Sequence, residues 1–468
     1  MKNYSLSKIY KCLALSLSLG LGLASCTSDE PSVPQWTITD IDGKVITVES
    51  ENGNLKVGDK AYPDGIYSMT NGDKIVVSDS TLKYIRKGNE VANRTLLVYM
   101  IASNTLNGYD RNDIKEMQQI CHDGVLDGNR LLIYHQTYEK QATLKEIMPY
   151  TDQIDTLKVY DSSVSSLSSV RMDEVIADMK NMAKANDYGL VLWSHANGWI
   201  VVSDANSGES SIKSSNNLSL VSTLAFGEDK SQGTTYYMNT SVLGNTLRGK
   251  GLSFIFFDCC YMGSVEVFYD MRGTAPLVGA SAAEIIAEGM PYHLTLPYFF
   301  RQGEADFIGA VNADFQYVDA KTDLNRTGTF SIVDMTKMDE LAEACRDFYS
   351  FHPVTHESFE PQRFMYERTC YHYDLAHLIE NYNLPEGTDE ETLASFEKAR
   401  GRALNAIEAA VVYKANTPYI WPNDPIGQVK LDHHCGLSTY FLRSEADALS
   451  RNYSDTNWWK DASHRLFH

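Results

Sequence analysis

Apolar runs separated by polar or helix-periodic stretches dominate the chain between residues 94 and 258. Three of these runs, Thr95–Ala102, Tyr188–Trp193 and Leu252–Phe257, are short, nearly unbroken and rich in β-branched or aromatic residues. Such runs are typical of parallel strands that are buried on both faces. Residues 169–185 instead repeat apolar positions at helical spacing. Strands that alternate with helices predict an α/β fold with a central, mainly parallel sheet and right-handed crossovers.

The pattern before this region is different. Between Pro31 and Ala92, short alternating stretches are separated by Asp-Gly and Asn-Gly sequences. These signals predict antiparallel hairpins in a small β-rich N-terminal module, in which no residue has an evident catalytic role.

Mixed patterns follow residue 300. Helices are predicted at 305–311, 336–349 and 391–413, and strands at 330–333 and 437–442. We expect these elements to pack around the core, and the last strand is a candidate to complete the central sheet. The expected domains are a leader (1–25), a linker with the β-rich module (26–92), an α/β core (93–300) and a C-terminal α/β extension packed on the core (301–468).

The N-terminus has the features of an export signal. Three lysines flank the start of a short apolar stretch at 12–24, and small residues follow it. The Leu-Ala-Ser-Cys sequence at 23–26 resembles a bacterial lipobox, which implies cleavage before Cys26 and a lipid anchor on that cysteine in the outer membrane. The Ser/acidic run at 27–30 is similar to surface-export signals of Bacteroidetes lipoproteins. An ordinary solvated linker is the alternative.

Composition narrows the class of partner. A formal net charge of −20 over 468 residues argues against nucleic acid and anionic membrane surfaces as general partners. Two of the eight cysteines lie in the first 26 residues. The other six are sparse and unpatterned, which argues against a disulfide scaffold and leaves a free thiol available for function. They are Cys121, Cys259, Cys260, Cys345, Cys370 and Cys435.

Residues with catalytic potential come directly after two of the predicted buried strands. His195 follows the second apolar run, and Asp258, Cys259 and Cys260 follow the third. Because ligand crevices in parallel sheets form at the carboxyl ends of strands, these side chains share a crevice if the two strands are neighbours. A helix is predicted soon after Cys260, and the partial positive charge of its N-terminus favours a thiolate.

The two stretches together resemble the clostripain-like cysteine peptidases (family C11), which are members of the caspase-like clan. That family has Ser-His-Gly-x-Gly-Trp after one strand and Asp-x-Cys-x-Met-Gly-(Ser)-x-Glu after another. This chain has SHANGW at 194–199 and DCCYMGSVE at 258–266, with looser matches at 97–106, 279–292 and 436–441. The resemblance implies a caspase-like α/β/α sandwich and cysteine endopeptidase activity.

The resemblance also implies roles for individual residues in catalysis. Cys260 is the expected nucleophile and His195 its partner in proton transfer, with the backbone N–H groups of Ala196 and Cys260 as oxyanion donors. Ala196 stands where the family has glycine, and a positive φ at this position would strain an alanine. This departure keeps a second function open, that of a catalytically inactive relative that binds peptides or proteins as a surface lipoprotein.

Substrate recognition is the next role that the resemblance implies. Asp258 matches a family aspartate that helps to form an acidic S1 pocket, and such a pocket suits Arg or Lys at P1. Ser281 and Glu284 match a second family segment, and we place them with Asp258 among the substrate-binding residues. The stretch 287–292 departs from the family pattern, so the aromatic wall of the pocket is expected to differ.

A polar tract at 203–235 separates the two motifs and predicts a mobile surface loop. Family members are often activated by self-cleavage after a basic residue in this interval, so Lys213 and Lys230 are candidate processing sites. Lys213 has the more linker-like context. An unprocessed loop is the alternative reading of the same composition.

The expected chemistry requires no cofactor, and we predict no metal site. The adjacent residues His433–Cys435 cannot easily share one ion, and His372 and His377 are expected at the surface of a helix. Loop aspartates leave calcium binding open, as in some relatives, although no EF-hand pattern is present. The expected partners are therefore peptides or proteins with basic P1 residues, and the membrane through the lipid anchor at Cys26.

Overall fold

The structure, a computed structural model, describes Gly88, residues 90–139, 141–200, 225–365, 370–420, 428–442 and 452–466, and the strands that lie between 35 and 86 and at 212–213. Cys26, the predicted lipidation site, lies outside the described residues. The chain divides into two compact units, Met1–Glu90 with Pro149–Gln153, and Val91–Met148 with Ile154–His468. No helix in the described part of the chain combines the length and apolar character that a membrane span requires.

Short antiparallel strands form the first unit, as the turn signals predict. They are β1 (Gln35–Thr39), β2 (Val45–Glu51), β3 (Asn54–Val57), β4 (Lys60–Tyr62), β5 (Gly65–Ser68), β6 (Lys74–Ser78) and β7 (Thr81–Arg86). One sheet has the order β1-β2-β3-β4 and the other β5-β6-β7. In β6, Ile75, Val76 and Val77 are buried, which fits its central place in the second sheet.

The second unit is built on a nine-stranded sheet. The strands of this unit, in the large sheet and in three smaller ones, are β8 (Ala92–Ile101), β9 (Arg130–Gln136), β10 (Thr143–Ile147), β11 (Ile154–Val159), β12 (Ala185–Trp193), β13 (Ile212–Lys213), β14 (Phe226–Asp229), β15 (Tyr236–Met238), β16 (Phe254–Asp258), β17 (Leu277–Ala280), β18 (Thr329–Asp334), β19 (Tyr373–Asp374), β20 (Val411–Asn416), β21 (Tyr419–Ile420), β22 (Val429–Lys430) and β23 (Ser438–Thr439). The large sheet has the order β11-β10-β9-β8-β12-β16-β17-β18-β20. The five strands from β9 to β17 in this order are parallel, and the outer strands are antiparallel.

Helices cover both faces of this sheet. They are α1 (Tyr109–His122), α2 (Ser169–Met182), α3 (Thr240–Leu247), α4 (Val265–Met271), α5 (Tyr292–Phe299), α6 (Phe307–Asp319), α7 (Met338–Tyr349), α8 (Leu375–Asn381), α9 (Glu390–Ala410) and α10 (Asn457–Asp461). Successive residues of a strand point to opposite faces. In β8, Leu97 and Tyr99 accordingly pack in a core with α2, α3, α4, α7 and α9, while Leu96 and Val98 pack in a second core with α1, α5 and α6. The result is the predicted three-layer α/β/α sandwich.

Two features of the C-terminal region differ from the sequence prediction. The helix expected at 391–413 ends at Ala410, and Val411–Asn416 continues as β20, the edge strand beside β18. The strand expected at 437–442 is reduced to Ser438–Thr439, which pairs with β19 rather than completing the central sheet. The Val-Val-Tyr sequence at 411–413 explains the first difference, since β-branched and aromatic residues favour a strand.

Close packing of β12 against β16 positions the two sequence motifs that follow these strands. Gly189 of β12 lies beside Phe254 of β16, and a Cβ on this glycine would lie 2.3 Å from the Phe254 ring. Only glycine allows this approach, since real Cβ contacts are not that short. The parallel register then pairs Trp193 with Asp258, so that both strands end at the same level.

Candidate active site

The residues that follow β12 and β16 line one crevice. Because the strands are parallel neighbours, His195 and Cys260 leave the sheet at the same edge. They share a cavity of about 220 Å³ with two carboxylates, Asp258 and Glu284. The described lining is Leu106, Trp193, Ser194, His195, Asp258, Cys260, Glu284, Ile285, Ile286, Ala287 and Gly289. The structure thus brings together four of the site residues predicted from the sequence.

The turn that carries the cysteine is sharp. Tyr261, the residue after Cys260, has a φ of 62°, and its N–H donates to the Ala283 carbonyl at 3.0 Å. Helix α4 begins soon afterwards, and the Ser264 hydroxyl caps it by accepting from the Val267 N–H. Cys260 is only partly buried, so its thiol faces the cavity.

Cys259, the neighbouring cysteine, points the other way. It is 1% exposed, packs in the core with α4, and its Sγ donates to the Leu192 carbonyl at 3.0 Å. Successive residues at the end of a strand face opposite sides. This geometry leaves Cys260 as the cysteine of the pair that lines the cavity.

The loop that carries the histidine is held by backbone pairing. The Gly227 N–H donates to the His195 carbonyl at 2.9 Å, and the Asn197 N–H donates to the Ala225 carbonyl at 3.1 Å. These two bonds flank Ala196, which faces Phe226 in an isolated antiparallel bridge. The bridge therefore does not use the N–H of Ala196.

Ala196 fits its position without backbone strain. The described non-glycine residues with positive φ are Asp127, Tyr150, Ala225, Tyr261 and His352, so Ala196 does not adopt the left-handed conformation. Glycine is therefore not required there for conformational reasons.

Thr105 is a neighbour of His195 that the sequence did not identify. Its hydroxyl lies 2.7 Å from His195 Nε2. The turn that presents it is fixed by Asn104, whose side-chain amide donates to the Glu228 carbonyl at 2.8 Å and to the Ser194 hydroxyl at 3.3 Å. The same side chain accepts from the Leu106 N–H at 2.9 Å. Asn104 thus ties the ends of β8 and β12 to β14.

His372 also approaches the site, although the sequence predicted it at the surface of a helix. It is fully buried, and its ring stacks on Tyr261 with centroids 4.9 Å apart. Gly198 lies against the same ring, because a Cβ there would be 2.6 Å from His372 Cε1. His372 therefore packs between the turn after His195 and the turn after Cys260.

Asp258 lies at the inner end of the cavity. It is 4% exposed, and it accepts hydrogen bonds from the Met290 N–H at 3.1 Å and from the Tyr292 hydroxyl at 3.1 Å. Burial raises the pKa of Asp258 to about 7, against the lowering effect of these two bonds. The carboxyl is therefore poised to ionise when a cation approaches.

The two other predicted substrate-binding residues have different surroundings. Glu284 lines the main cavity, and the Tyr261 hydroxyl lies 3.5 Å from its Oε2. Ser281 lines a smaller space of about 10 Å³ behind Asp258, and its hydroxyl donates to the Ala283 carbonyl at 2.9 Å. A space of that size holds about one water molecule. Ser281 thus borders the site from behind.

Burial, with nearby charges, favours the neutral forms of Cys260 and His195. Burial raises the pKa of the Cys260 thiol, and the carboxylates of Glu284 and Asp258 raise it further. Burial lowers the pKa of His195, with Glu228 and Lys230 acting in opposite directions. These shifts favour thiol and imidazole over thiolate and imidazolium.

The two candidate processing residues differ in how the fold holds them. The Lys230 N–H donates to the Ser103 carbonyl at 3.0 Å, and its Nζ lies 3.0 Å from Glu228 Oε1. Lys213 ends the short strand β13, which pairs with β15. The side chain of Lys213 and its flanking residues lie outside the described part of the chain.

Metal ligands do not converge in the part of the chain that the structure describes, where no group of three or more His, Cys, Asp or Glu side chains could hold an ion. His433 instead stacks on His377, with ring centroids 3.8 Å apart, and His434 contacts Phe364 edge-on.

Comparison with known proteins agrees with this arrangement. The sequence profile of the clostripain family (Peptidase C11) matches residues 98–463. No curated protein matches the chain. Among solved structures, an inactive zymogen C11 protease from Parabacteroides distasonis is 26% identical, with a TM-score of 0.63 over 80% of this chain and 99% of that one. A secreted C11 cysteine protease from Bacteroides thetaiotaomicron, in complex with an irreversible peptide inhibitor, is 23% identical, with a TM-score of 0.64 over 80% of this chain and 99% of that one. The chain belongs to the clostripain family of cysteine peptidases.

Proposed function

We propose that this cysteine endopeptidase uses a His195–Cys260 dyad and cleaves peptide bonds after Arg or Lys. The observation that carries the proposal is the cavity itself, which is lined by Cys260, His195 and the two acidic residues Asp258 and Glu284. None of the described lining residues is Lys or Arg. A cavity with this charge suits a cationic side chain placed beside the nucleophile.

The chemistry follows from the roles of the two side chains. His195 takes the proton of Cys260, and the thiolate attacks the scissile carbonyl carbon to form a tetrahedral intermediate. The backbone N–H groups of Ala196 and Cys260 donate to its oxyanion. When the C–N bond breaks, His195 gives its proton to the leaving amine. A water molecule, deprotonated by His195, then attacks the thioester and releases Cys260 with the acid product.

Specificity is assigned to Asp258, with Glu284 lining the same cavity. The inner position of Asp258 suits the end of a long side chain, and a guanidinium pairs with carboxylates better than an ammonium does. We expect Asp258→Asn to lower kcat/KM for Arg substrates by about a hundredfold, since a buried charge pair is lost.

Activation by self-cleavage is part of the proposal, and Lys213 is the favoured site. A cleavage site must extend into the crevice of a protease. Lys230 is held by its backbone bond to Ser103 and by its ion pair with Glu228, whereas Lys213 lies at the end of a two-residue strand, in the more linker-like sequence. That a relative is described as an inactive zymogen supports a precursor form for this chain.

Export as a lipoprotein anchored through Cys26 completes the proposal, with the outer membrane and cell surface as its location. The support is the lipobox-like sequence at 23–26, and one relative is described as secreted. Metabolic labelling with a fatty-acid analogue should modify the native chain but not Cys26→Ala. Equal labelling of both chains would contradict the assignment.

Peptide turnover is the decisive test. Wild type, Cys260→Ala and the matched control Cys259→Ala would be assayed with fluorogenic peptides that carry Arg, Lys, Asp or Leu at P1. We expect turnover of Arg and Lys substrates by wild type, and its loss in Cys260→Ala.

Gels should show fragments broken after Lys213 in wild type but not in Cys260→Ala. Absence of turnover in wild type, with or without calcium, would favour the inactive peptide-binding relative, and preference for Asp or Leu would refute the S1 assignment.

A further inference from the structure

Acidic side chains lie around the nucleophile of this site. Cys260 shares its cavity with Asp258 and Glu284. Beyond the lining, Asp113 accepts a hydrogen bond from the indole of Trp193, which forms one wall. Three acidic residues therefore lie in or directly behind the space that the thiolate must share.

Among the described residues, Lys230 and His195, two groups near the site that can carry a positive charge, already have partners. Lys230 pairs with Glu228 at 3.0 Å, and His195 Nε2 lies 2.7 Å from the Thr105 hydroxyl. The Cys260 Sγ lies 3.9 Å from the Ile285 carbonyl oxygen, and backbone hydrogen bonds at Ile285 and Cys260 lower the pKa of the thiol less than burial raises it.

We propose that a basic P1 side chain, on binding between Asp258 and Glu284, favours the thiolate of Cys260, so that the correct substrate activates the nucleophile. This inference rests on the proposed basic S1 site. Like charges in a cavity of low dielectric oppose one another strongly, and a bound cation offsets the two carboxylates. The thiol proton then passes to a ring nitrogen of His195, breaking S–H and forming N–H.

The direction of the titration shifts agrees with this geometry. Burial is the largest cause of the raised pKa of Cys260, followed by Glu284 and then Asp258 among the charged groups. A bound substrate can offset the effect of the two carboxylates on this pKa. It cannot offset the effect of burial, which persists or increases when the crevice is filled. Substrates without a P1 cation would leave the thiol protonated, which restrains cleavage at other sequences.

The test measures the pH dependence of Cys260 alkylation by iodoacetamide, with and without butylguanidine as a P1 mimic. Butylurea, which has nearly the same shape but no charge, is the control ligand. Cys260 is followed by the mass of its peptide, since the other described cysteines are buried. Butylguanidine should move the midpoint of the pH–rate profile down by about one unit, which gives about tenfold faster alkylation below the midpoint, and butylurea should not.

Two variants separate the charge effect from other causes. Glu284→Gln should lower the midpoint in the absence of ligand and reduce the shift that butylguanidine produces. Glu288→Gln removes the same charge from an exposed position outside the lining, four residues along the chain, and should behave as wild type. A ligand that merely blocks access to Cys260 would lower the plateau of the profile and leave its midpoint in place.

The outcomes distinguish this inference from the proposal on which it rests. If butylguanidine inhibits cleavage of an Arg substrate competitively but does not move the midpoint, substrate-assisted activation is wrong and the basic S1 site stands. If it lowers only the plateau, the same conclusion follows. If it neither inhibits nor shifts the profile, while Arg substrates are not cleaved, both are wrong.

Discussion

Binding of a P1 cation should depend on pH through Asp258. Burial raises the pKa of this carboxyl to about 7, so the free enzyme holds it increasingly protonated below that pH. A guanidinium keeps its charge throughout, and it must displace the proton in order to pair with the carboxylate. Each pH unit below about 7 therefore costs about 1.4 kcal/mol of binding free energy, and affinity falls roughly hundredfold from about pH 7 to about pH 5. Affinity levels off above about pH 8, where the carboxyl is already ionised.

The inhibition constant of butylguanidine against a fluorogenic Arg substrate measures this dependence. Inhibition constants isolate the cation site, whereas kcat and KM also contain the titration of the dyad. The Asp258→Asn variant should bind butylguanidine more weakly and with little pH dependence, because the asparagine side chain has no proton to lose. Glu284→Gln should weaken binding but keep the midpoint. A pH-independent constant in wild type, or a profile that survives in Asp258→Asn, would refute the assignment of Asp258 as the cation partner.

Three further predictions concern the scaffold of the site. Burial raises the pKa of Asp113 to about 9, so the stability that the protonated Asp113 contributes is fully present below about pH 4 and falls as the pH rises toward 9, by at most about 1.4 kcal/mol per pH unit. Asp113→Asn should remove this pH dependence of the free energy of unfolding, measured by urea unfolding with pulsed alkylation of the buried Cys121. Gly198→Ala should lower kcat at least tenfold, because the φ of 71° at this position and a Cβ 2.6 Å from His372 Cε1 would displace the turn after His195. Gly233→Ala is the control: its φ is similar, but no atom lies within 4 Å of the added Cβ, so kcat should be unchanged. Asn104→Ala should cost about 1–3 kcal/mol of stability, measured in the same unfolding assay, and should lower kcat, since three chain segments lose their common hydrogen-bond partner.

Local patterns were sufficient to predict the frame of the site. The runs at 95–102, 188–193 and 252–257 became β8, β12 and β16, because a strand buried on both faces must be apolar along its whole length. The same runs located His195 and Cys260, since each lies at the point where apolar character stops. Their convergence required only that β12 and β16 be neighbours, which their parallel pairing confirms.

Contacts between distant parts of the chain were not predictable in the same way. His372 stacks on Tyr261 from more than a hundred residues away, and the histidine-rich sequence around it suggested an exposed helix face instead. Thr105 lies in a short turn whose composition does not indicate its contact with His195. The raised pKa of Asp258 is a property of its burial behind the cavity, which emerges only when β16 and α5 pack together.

Residues after 430 donate hydrogen bonds to two buried acidic side chains on the helix that follows Cys260. Glu266, in the first turn of α4 after Cys260, accepts from the Thr439 hydroxyl at 2.7 Å and from the Tyr453 hydroxyl at 3.0 Å. One turn later, Asp270 accepts from the Asn457 amide at 2.7 Å. A buried carboxylate that loses its partners costs about 1–3 kcal/mol or more. Removing these C-terminal segments would take from Glu266 the hydroxyls of Thr439 and Tyr453, and from Asp270 the Asn457 amide, while Asp270 keeps its hydrogen bond from the Thr240 hydroxyl at 2.6 Å. Both carboxyls lie on the helix that follows Cys260, in the same compact unit as the C-terminal elements.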